Sequence, residues 1–280
     1  MYPKPMDCPY CDYPKTHKHG KTSKGTQRYK CVHCTRTFVE TFDTFYYWRQ
    51  VSADEVESIL QSQAEGSSLR GISRINKRAY NTIVSIVHAA AYRAQLVHNE
   101  EVKEIETEQV IADEMWSFVK KQKRCGPEDI NLGDCWIGVS LAKQSGLILT
   151  ARLGKHTDAV LEELITCTEG KTDCKVWYTN DCAGYGRVLP PEVVHVVGKE
   201  NTQRLERTNG IIRQQTGRWH RRQNKFAKVW QTTESITRLV VTYFNWIWQH
   251  SRTGDTAAQR AEITTKPWSW NDIAAYPTFF

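Results

Sequence analysis

The stretch Val193 to Arg222, VVHVVGKENTQRLERTNGIIRQQTGRWHRR, predicts a short apolar strand, a polar turn and then a helix. Thr202 in the turn can cap this helix, because its hydroxyl can accept a hydrogen bond from a free N–H group of the first turn. Glu206 is the only acid in residues 204–228, a segment with eight lysines and arginines. Such a helix favours contact with a polyanion.

Glu206 shares one face of the predicted helix with Asn209 and Arg213, because residues three and four apart are neighbours on a helix surface. A lone carboxylate there is either a neutralised surface charge or a group that holds a cation beside the polyanion. The second interpretation requires further carboxylates elsewhere in the chain.

Composition limits the function classes. The chain has 280 residues, a net charge of +7 and a pI near 8.9, which favours an acidic partner. No apolar run approaches the roughly 20 residues that span a bilayer, and we expect neither a membrane segment nor a signal peptide. Nine cysteines, an odd number, suit a reducing compartment better than a disulfide scaffold.

Two C-x-x-C pairs, Cys8–Cys11 and Cys31–Cys34, are separated by 19 residues. Four thiolates at this spacing predict a tetrahedral structural zinc site, with a hairpin between the pairs, in a zinc ribbon over residues 1–45. Two disulfides or chance spacing are the alternatives. His17, His19 and His33 could compete as ligands. The many lysines of this segment form either a DNA-contacting or a merely solvated surface.

Residues 50–98 predict three helices. Apolar residues at helical spacing, Val56, Ile59 and Leu60, mark the first, and SLRGISRI forms the second. The third starts near Arg78 after a tight turn, with four side chains facing inward: Tyr80, Ile83, Val84 and Val87. This order fits a helix-turn-helix, although an ordinary three-helix bundle fits as well. The side chains available for DNA are Lys77, Arg78, Asn81, Thr82 and Ser85.

The acidic residues 99–108 are typical of a linker. Residues 109–252 then predict the order βββ, α, β, short α, β, α, followed by a long apolar helix, TTESITRLVVTYFNWIWQHS. The first three strands have short connections, which indicates an antiparallel meander. The fold class is therefore α/β (α+β), with a mixed sheet and flanking helices behind the zinc ribbon and the helix-turn-helix.

Three acids fall where this order could bring them together: Asp113 inside the first strand, Asp181 at the end of the strand after the first long helix, and Glu206. If those two strands are neighbours, we expect Asp113 and Asp181 to lie side by side. Close carboxylates repel, and Mg²⁺ or Mn²⁺ would relieve the repulsion. Two ions about 4 Å apart would clamp the attacking and leaving oxygens of a phosphodiester.

Each acid has an alternative role. Asp181 could cap the turn that it starts, and Asp113 could be paired with a basic residue, with Glu114 as the rival ligand. Glu206 could be a surface ion-pair partner of Arg207 or Arg213, with Glu200 as its rival.

The chain resembles transposases of the insertion sequence one family. The matching stretches are CPYC…QRYKCVHC, SLRGISRI, IADEMW, YTNDCAGY, TQRLERTNGIIRQ and YFNWIWQHSR. The resemblance implies a ribonuclease-H-like DDE catalytic domain over residues 109–252. It makes Asp113, Asp181 and Glu206 the catalytic, magnesium-binding residues and implies the zinc ligands Cys8, Cys11, Cys31 and Cys34. Family members often divide the DNA-binding and catalytic halves between two reading frames, whereas this chain joins them.

The resemblance further implies DNA transposition, with double-stranded DNA as partner: terminal inverted repeats of an insertion sequence and target DNA. Arg204, Arg207 and Arg213 are candidates for phosphate contacts. We expect a homodimer or higher oligomer and a cytoplasmic, nucleoid-associated protein of a prokaryote. A DNA-binding transcriptional regulator and a ribonuclease-H-type nuclease without strand transfer are the alternatives. The aromatic tail, residues 253–280, has no predicted role.

Overall fold

A computed structural model describes residues 7–23, 25–42, 44–47, 49–120, 129–198, 202–216, 219 and 226–276. Within these residues the chain forms two compact units: residues 7–52 with residues 274–276, and residues 53–273. In the described part of the chain, no helix has the length and apolar content needed to cross a membrane.

The first unit is built on a small antiparallel sheet. Its strands are β1 (Thr16–Lys21), β2 (Gln27–Cys31) and β3 (Thr37–Val39), in the order β1-β2-β3. β1 and β2 form the predicted hairpin between the two cysteine pairs. β3 was not expected from sequence; it brings Phe38 against the buried thiols of Cys8 and Cys31. With so small an apolar cluster, a bound metal ion would supply a large share of the folding energy.

The second unit starts with the three predicted helices, α1 (Ala53–Ala64), α2 (Leu69–Ile75) and α3 (Tyr80–Glu101). Ser68 caps α2 by accepting a hydrogen bond from the Gly71 N–H at 3.0 Å. Lys77, with φ of 51°, turns the chain between α2 and α3. Ile83 and Val87 are fully buried, as predicted.

Tyr80 does not face inward as predicted: it is 38% exposed, and the Arg70 guanidinium lies 4.8 Å from its ring centroid. It shares the periodicity of Ile83 and Val87, but it stands at the first residue of α3, where its ring stays largely exposed. Val84 is only partly buried.

The predicted linker is packed against the second unit. α3 continues through Asn99 to Glu101, and Val102 and Ile105 are buried. The Ile105 N–H donates to the carbonyl of Lys171 at 2.8 Å, and the Thr172 hydroxyl donates to the Ile105 carbonyl at 2.7 Å. Although most side chains of this segment are acidic or polar, its two apolar residues, Val102 and Ile105, pack into the core.

A five-stranded sheet carries the candidate site. Its strands are β4 (Val110–Val119), β5 (Gly133–Ala142), β6 (Ile148–Gly154), β7 (Val176–Thr179) and β8 (Val194–Val197). Their spatial order is β6-β5-β4-β7-β8. The first three strands form the predicted antiparallel meander. β7 lies beside β4 and pairs with it in parallel, which meets the condition set for a close approach of Asp113 and Asp181. The α/β class with a mixed sheet is confirmed.

Helices flank this sheet and follow it. They are α4 (Asp158–Glu169), α5 (Tyr185–Val188), α6 (Gln203–Thr216), α7 (Trp230–Thr242), α8 (Ala257–Arg260) and α9 (Trp270–Ala274). The long apolar helix predicted at the end leaves the α form after Thr242 and continues as a π-helical turn, Tyr243–Ile247. That turn presents the buried Asn245 to β6, where its amide exchanges two hydrogen bonds of 2.9 Å with the backbone of Ile148.

Residues 257–273 of the aromatic tail pack against the rest of the second unit. Trp270 is fully buried, and its ring is stacked with that of Tyr243 at 6.2 Å. The Trp270 indole N–H donates to Gln61 Oε1 at 3.0 Å. Trp268 packs on Trp246, with 4.5 Å between ring centroids. The tail thus connects α1 with the π-helical turn.

Candidate active site and metal centre

The four cysteines of the two C-x-x-C pairs come together in the first unit. All four sulfur atoms lie within 4.8 Å of one another, with 3.5 Å between Cys8 and Cys34 and 3.7 Å between Cys11 and Cys31. A disulfide would need about 2.05 Å, so the disulfide alternative is wrong. Sulfur ligands about 2.3 Å from a tetrahedral zinc ion stand about 3.8 Å apart, so the cluster could hold such an ion. His17, His19 and His33 are not members of the cluster.

Backbone groups favour the thiolate form of one of these ligands. Burial alone would raise the pKa of Cys31, but hydrogen bonds from the backbone N–H groups of Cys34 and His33 bring it down to about 7. Burial raises the pKa of Cys8 to about 12. A bound cation would favour the charged form of both thiols.

Asp113 lies at the centre of the second candidate site. β4 is the middle strand of the sheet, and Asp113 faces Val139 across the antiparallel pair with β5. On the other side, the parallel pairing with β7 ends at Ala112 and Thr179. One residue further along each strand, Asp113 therefore meets Asn180. The Asn180 amide Nδ2 donates to Asp113 Oδ1 at 2.6 Å.

The second oxygen of Asp113 is held by α6. Asn209 Nδ2 donates to Asp113 Oδ2 at 3.1 Å, and the Asn209 side chain is 1% exposed. Asn209 Oδ1 is buried and has no hydrogen-bond partner among the described residues. Glu206 and Arg213 also act electrostatically on Asp113. The predicted face of Glu206, Asn209 and Arg213 is thus the face that α6 turns toward Asp113.

The electrostatics at Asp113 favour a cation. Burial raises the pKa of its carboxyl, the negative charge of Glu206 raises it further, and hydrogen bonding by Asn209 and the charge of Arg213 oppose the rise. A divalent cation would stabilise the ionised form.

Glu114, the rival ligand, is also buried beside the site. Burial raises the pKa of its carboxyl, and the Tyr185 hydroxyl opposes the rise. Asn180 Nδ2 lies 3.4 Å from Glu114 Oε2. Glu114 Oε1 and the buried Tyr185 hydroxyl make no hydrogen bond of normal geometry with a described residue. Glu114 is the neighbour of Asp113 in β4, and Asn180 Nδ2 lies within hydrogen-bond distance of both carboxylates.

Asp181 and Glu206 are exposed. Asp181 follows Asn180 and makes no hydrogen bond or ion pair with another described residue, whereas Glu206 Oε1 accepts a hydrogen bond from Thr202 at 3.3 Å. Among the described residues, the four cysteines are the only compact group of three or more potential metal ligands. The register of β4 and β7 places Asn180, not Asp181, directly beside Asp113. Glu200, the rival of Glu206, lies outside the described residues.

The oxygen atoms around Asp113 nevertheless fit a hard cation. Mg²⁺ and Mn²⁺ bind carboxylate and carbonyl oxygens, and Asp113, Glu206 and the unpaired Asn209 Oδ1 offer such atoms on one side of the sheet. Asn180 and Asn209 were not chosen as site residues from sequence. The signal for Asn180 was its place as the first polar residue after an apolar strand, and the signal for Asn209 was its helical spacing from Glu206.

Two of the predicted DNA-contacting arginines already have protein partners. Arg78 forms an ion pair with Glu55, and its Nη2 lies 2.7 Å from Glu55 Oε2. Arg204 donates to the carbonyls of Lys143 and Gln144, the latter at 2.9 Å. The other predicted contacts are exposed or partly exposed in the structure: Lys77, Asn81, Thr82, Ser85, Arg207 and Arg213.

Comparison with known proteins identifies the family. The sequence signature described as IS1 transposase matches residues 109–247. Insertion element iso-IS1n protein InsB of Shigella dysenteriae is 27% identical over 124 residues, which are 44% of this chain and 86% of that protein. Insertion element iso-IS1N protein InsA of Shigella dysenteriae is 30% identical over 79 residues, which are 28% of this chain and 83% of that protein.

Among solved structures, the catalytic core domain of BIV integrase aligns with a TM-score of 0.37 and 11% identity, over 55% of this chain and 93% of that one. InsA and InsB are separate proteins, and this single chain covers most of each. The chain therefore belongs to the IS1 transposase family.

Proposed function

We propose that this protein is a DNA transposase that cuts the ends of its own insertion sequence and joins them to target DNA. The observation that carries this proposal is the position of Asp113, in the central strand and against the Glu206–Asn209–Arg213 face of α6. The chain belongs to the IS1 transposase family, and at Asp113 the acidic Glu206 and the basic Arg213 both act on one buried carboxyl group.

Asp113, Asp181 and Glu206 are the carboxylates that we propose would hold Mg²⁺ or Mn²⁺, with two ions in the complete site. Such ions would act as Lewis acids on the scissile phosphate and lower the pKa of bound water. The protein itself keeps Asp113 in place through Asn209. Arg213 and the exposed Arg207 lie on the same helix and would attract phosphate groups.

The proposed reaction has two displacements at phosphorus. In the first, a water oxygen bonds to phosphorus as the bond to the 3′ oxygen breaks, and a 3′-OH is released. In the second, that 3′-OH attacks a target phosphodiester, and a target 3′-OH leaves. No protein nucleophile is required, so the cysteines outside the zinc cluster have no chemical role in the proposal.

Recognition of the terminal inverted repeats would fall to the helices α2 and α3 and to the zinc ribbon. The turn and first residues of α3 present the side chains that we propose contact DNA: Lys77, Arg78, Asn81, Thr82 and Ser85. Arg78 would have to exchange Glu55 for a phosphate. Because two ends of one element must be joined, we propose a homodimer or a higher oligomer.

The test uses the full chain and DNA that carries the ends of its own element. With Mg²⁺ or Mn²⁺, we expect a nick at the element end and, with added target DNA, a covalent end–target product. Specific binding without any nick would favour the transcriptional regulator. Nicks without a joined product would favour the nuclease.

A further inference from the structure

We propose that Asn180 is a positioning residue of the Asp113 site, and that its amide N–H competes with a divalent cation for Asp113. The inference rests on the proposed function, because it concerns the cation that this function requires.

Hydrogen bonds hold both the nitrogen and the oxygen of the Asn180 side-chain amide. Nδ2 donates to Asp113 Oδ1 at 2.6 Å and lies 3.4 Å from Glu114 Oε2, while Oδ1 accepts from the Cys182 N–H at 3.1 Å. Turning the amide by 180° would set Oδ1 against two carboxylates and Nδ2 against the Cys182 N–H. The donor side of Asn180 therefore faces Asp113.

Each carboxylate oxygen of Asp113 thus accepts one hydrogen bond: Oδ1 from Asn180, and Oδ2 from Asn209 Nδ2 at 3.1 Å. A cation that approaches Oδ1 from the side of β7 has to displace the Asn180 N–H, which occupies that lone pair. Asn180 also adds no negative charge at the position directly after β7, which the register sets beside Asp113. Affinity for a hard cation increases with the number of carboxylate ligands, so an amide here weakens cation binding.

The same amide stabilises the protein before a cation arrives. Asp113 and Glu114 are adjacent, buried in part and like-charged when ionised, and a single NH₂ group lies within hydrogen-bond distance of both. Asn180 thus takes the place that a cation would occupy between the carboxylate of Asp113 and the end of β7.

The experiment measures Mn²⁺ binding to the full chain by calorimetry and electron paramagnetic resonance, for wild type, Asn180→Asp, Asn180→Ala and Asn99→Asp. Asn99 is an exposed residue of α3, so the last variant controls for the added charge. We expect Asn180→Asp to bind Mn²⁺ about tenfold more tightly than wild type, since it adds one carboxylate ligand. Asn180→Ala, which only removes the competing N–H, should bind at least as tightly as wild type.

Thermal melting separates folding from binding. Asn180→Asp sets two carboxylates at hydrogen-bond distance, so it should melt below wild type without Mn²⁺ and regain stability when Mn²⁺ is added. If this variant does not fold without metal, Asn180→Ala decides the question. Weaker Mn²⁺ binding by Asn180→Ala would mean that Asn180 is itself a ligand, and would overturn the proposal. So would equal Mn²⁺ affinity in Asn180→Asp and Asn99→Asp.

Failure of this inference differs from failure of the proposed function. If wild type cuts its own DNA ends while Asn180→Asp gains no Mn²⁺ affinity, only the role of Asn180 is wrong. If wild type cuts no such DNA, the function is wrong whatever the Mn²⁺ affinities are.

Discussion

Asn209 on α6 and Asp113 on β4 are joined by a hydrogen bond of 3.1 Å between a side-chain amide and a carboxylate. This bond fixes the helix that carries Glu206 and Arg213 against the central strand of the sheet. It also satisfies one oxygen of a partly buried acid, which would otherwise be costly to keep within a strand.

Asn209→Ala is expected to lower the free energy of unfolding by about 1.5–3 kcal/mol, because it removes a hydrogen bond to a charged group in a buried position. Urea denaturation measures the change. Asn99→Ala removes an asparagine that is exposed on α3 and should cost no more than about 0.5 kcal/mol. Equal stability of the two variants would show that the Asn209 bond contributes nothing to the fold.

Purified protein should carry about one zinc ion per chain in the four-cysteine cluster, because a small apolar core gains its folding energy from the metal. Cys34→Ser should lose this ion and with it binding to element ends, as measured by elemental analysis and gel shift. Cys174→Ser changes a free cysteine outside the cluster and should retain both. The same zinc content in both variants would contradict the assignment.

His98 should make the second unit acid-sensitive. It is buried, its Nε2–H donates to the Leu149 carbonyl at 2.8 Å, and burial, followed by the charges of Lys171 and Arg152, lowers its pKa to about 3. As the pH falls, the imidazole of His98 is therefore protonated in the unfolded chain before it is protonated in the folded chain. Stability should be lost between about pH 6.5 and pH 3, at up to about 1.4 kcal/mol per pH unit.

Denaturation of wild type and His98→Gln at several pH values measures this effect. Glutamine can still donate to the Leu149 carbonyl but cannot titrate, so the slope of stability against pH should be smaller in the variant. Equal slopes would show that His98 is not a source of the acid sensitivity.

Trp270→Ala should destabilise the second unit by about 3–5 kcal/mol, because it empties the space of a fully buried ring between α1 and the π-helical turn. Trp270→Phe keeps a ring against Tyr243 and loses only the bond to Gln61, so it should cost less. Thermal or urea denaturation gives both values. A loss below about 1 kcal/mol in Trp270→Ala would mean that the tail is only loosely attached.

The order of strands and helices from α1 to α7 followed from hydrophobic periodicity, since each apolar stripe there is long enough to define its element. Periodicity also predicted the site-facing side of α6, whereas the pairing of β4 with β7 was only a condition of the argument. Helical spacing selected Glu206 together with Asn209, and the structure turns both toward Asp113.

The residue beside Asp113 could not be obtained from sequence, because a shift of one residue in register exchanges Asn180 for Asp181. Similarly, Arg78 and Arg204 have the charge expected of DNA contacts, but tertiary structure supplies Glu55 to one and backbone carbonyls to the other. Tyr80 differs from expectation because the burial of a side chain depends on neighbours that are distant in sequence.

Metal-dependent cutting of element ends by Asp113→Asn tests the central claim most directly. The assay compares wild type with Asp113→Asn, Asp181→Asn and Glu206→Gln, and with Asp173→Asn as matched control. Asp173 is exposed and precedes the amino end of β7, whereas Asn180 follows its carboxyl end. We expect each of the three site variants to bind element ends as wild type does and to cut them at least about 100-fold more slowly. Cutting by Asp113→Asn at the rate of Asp173→Asn would contradict the claim that Asp113 is the centre of the active site.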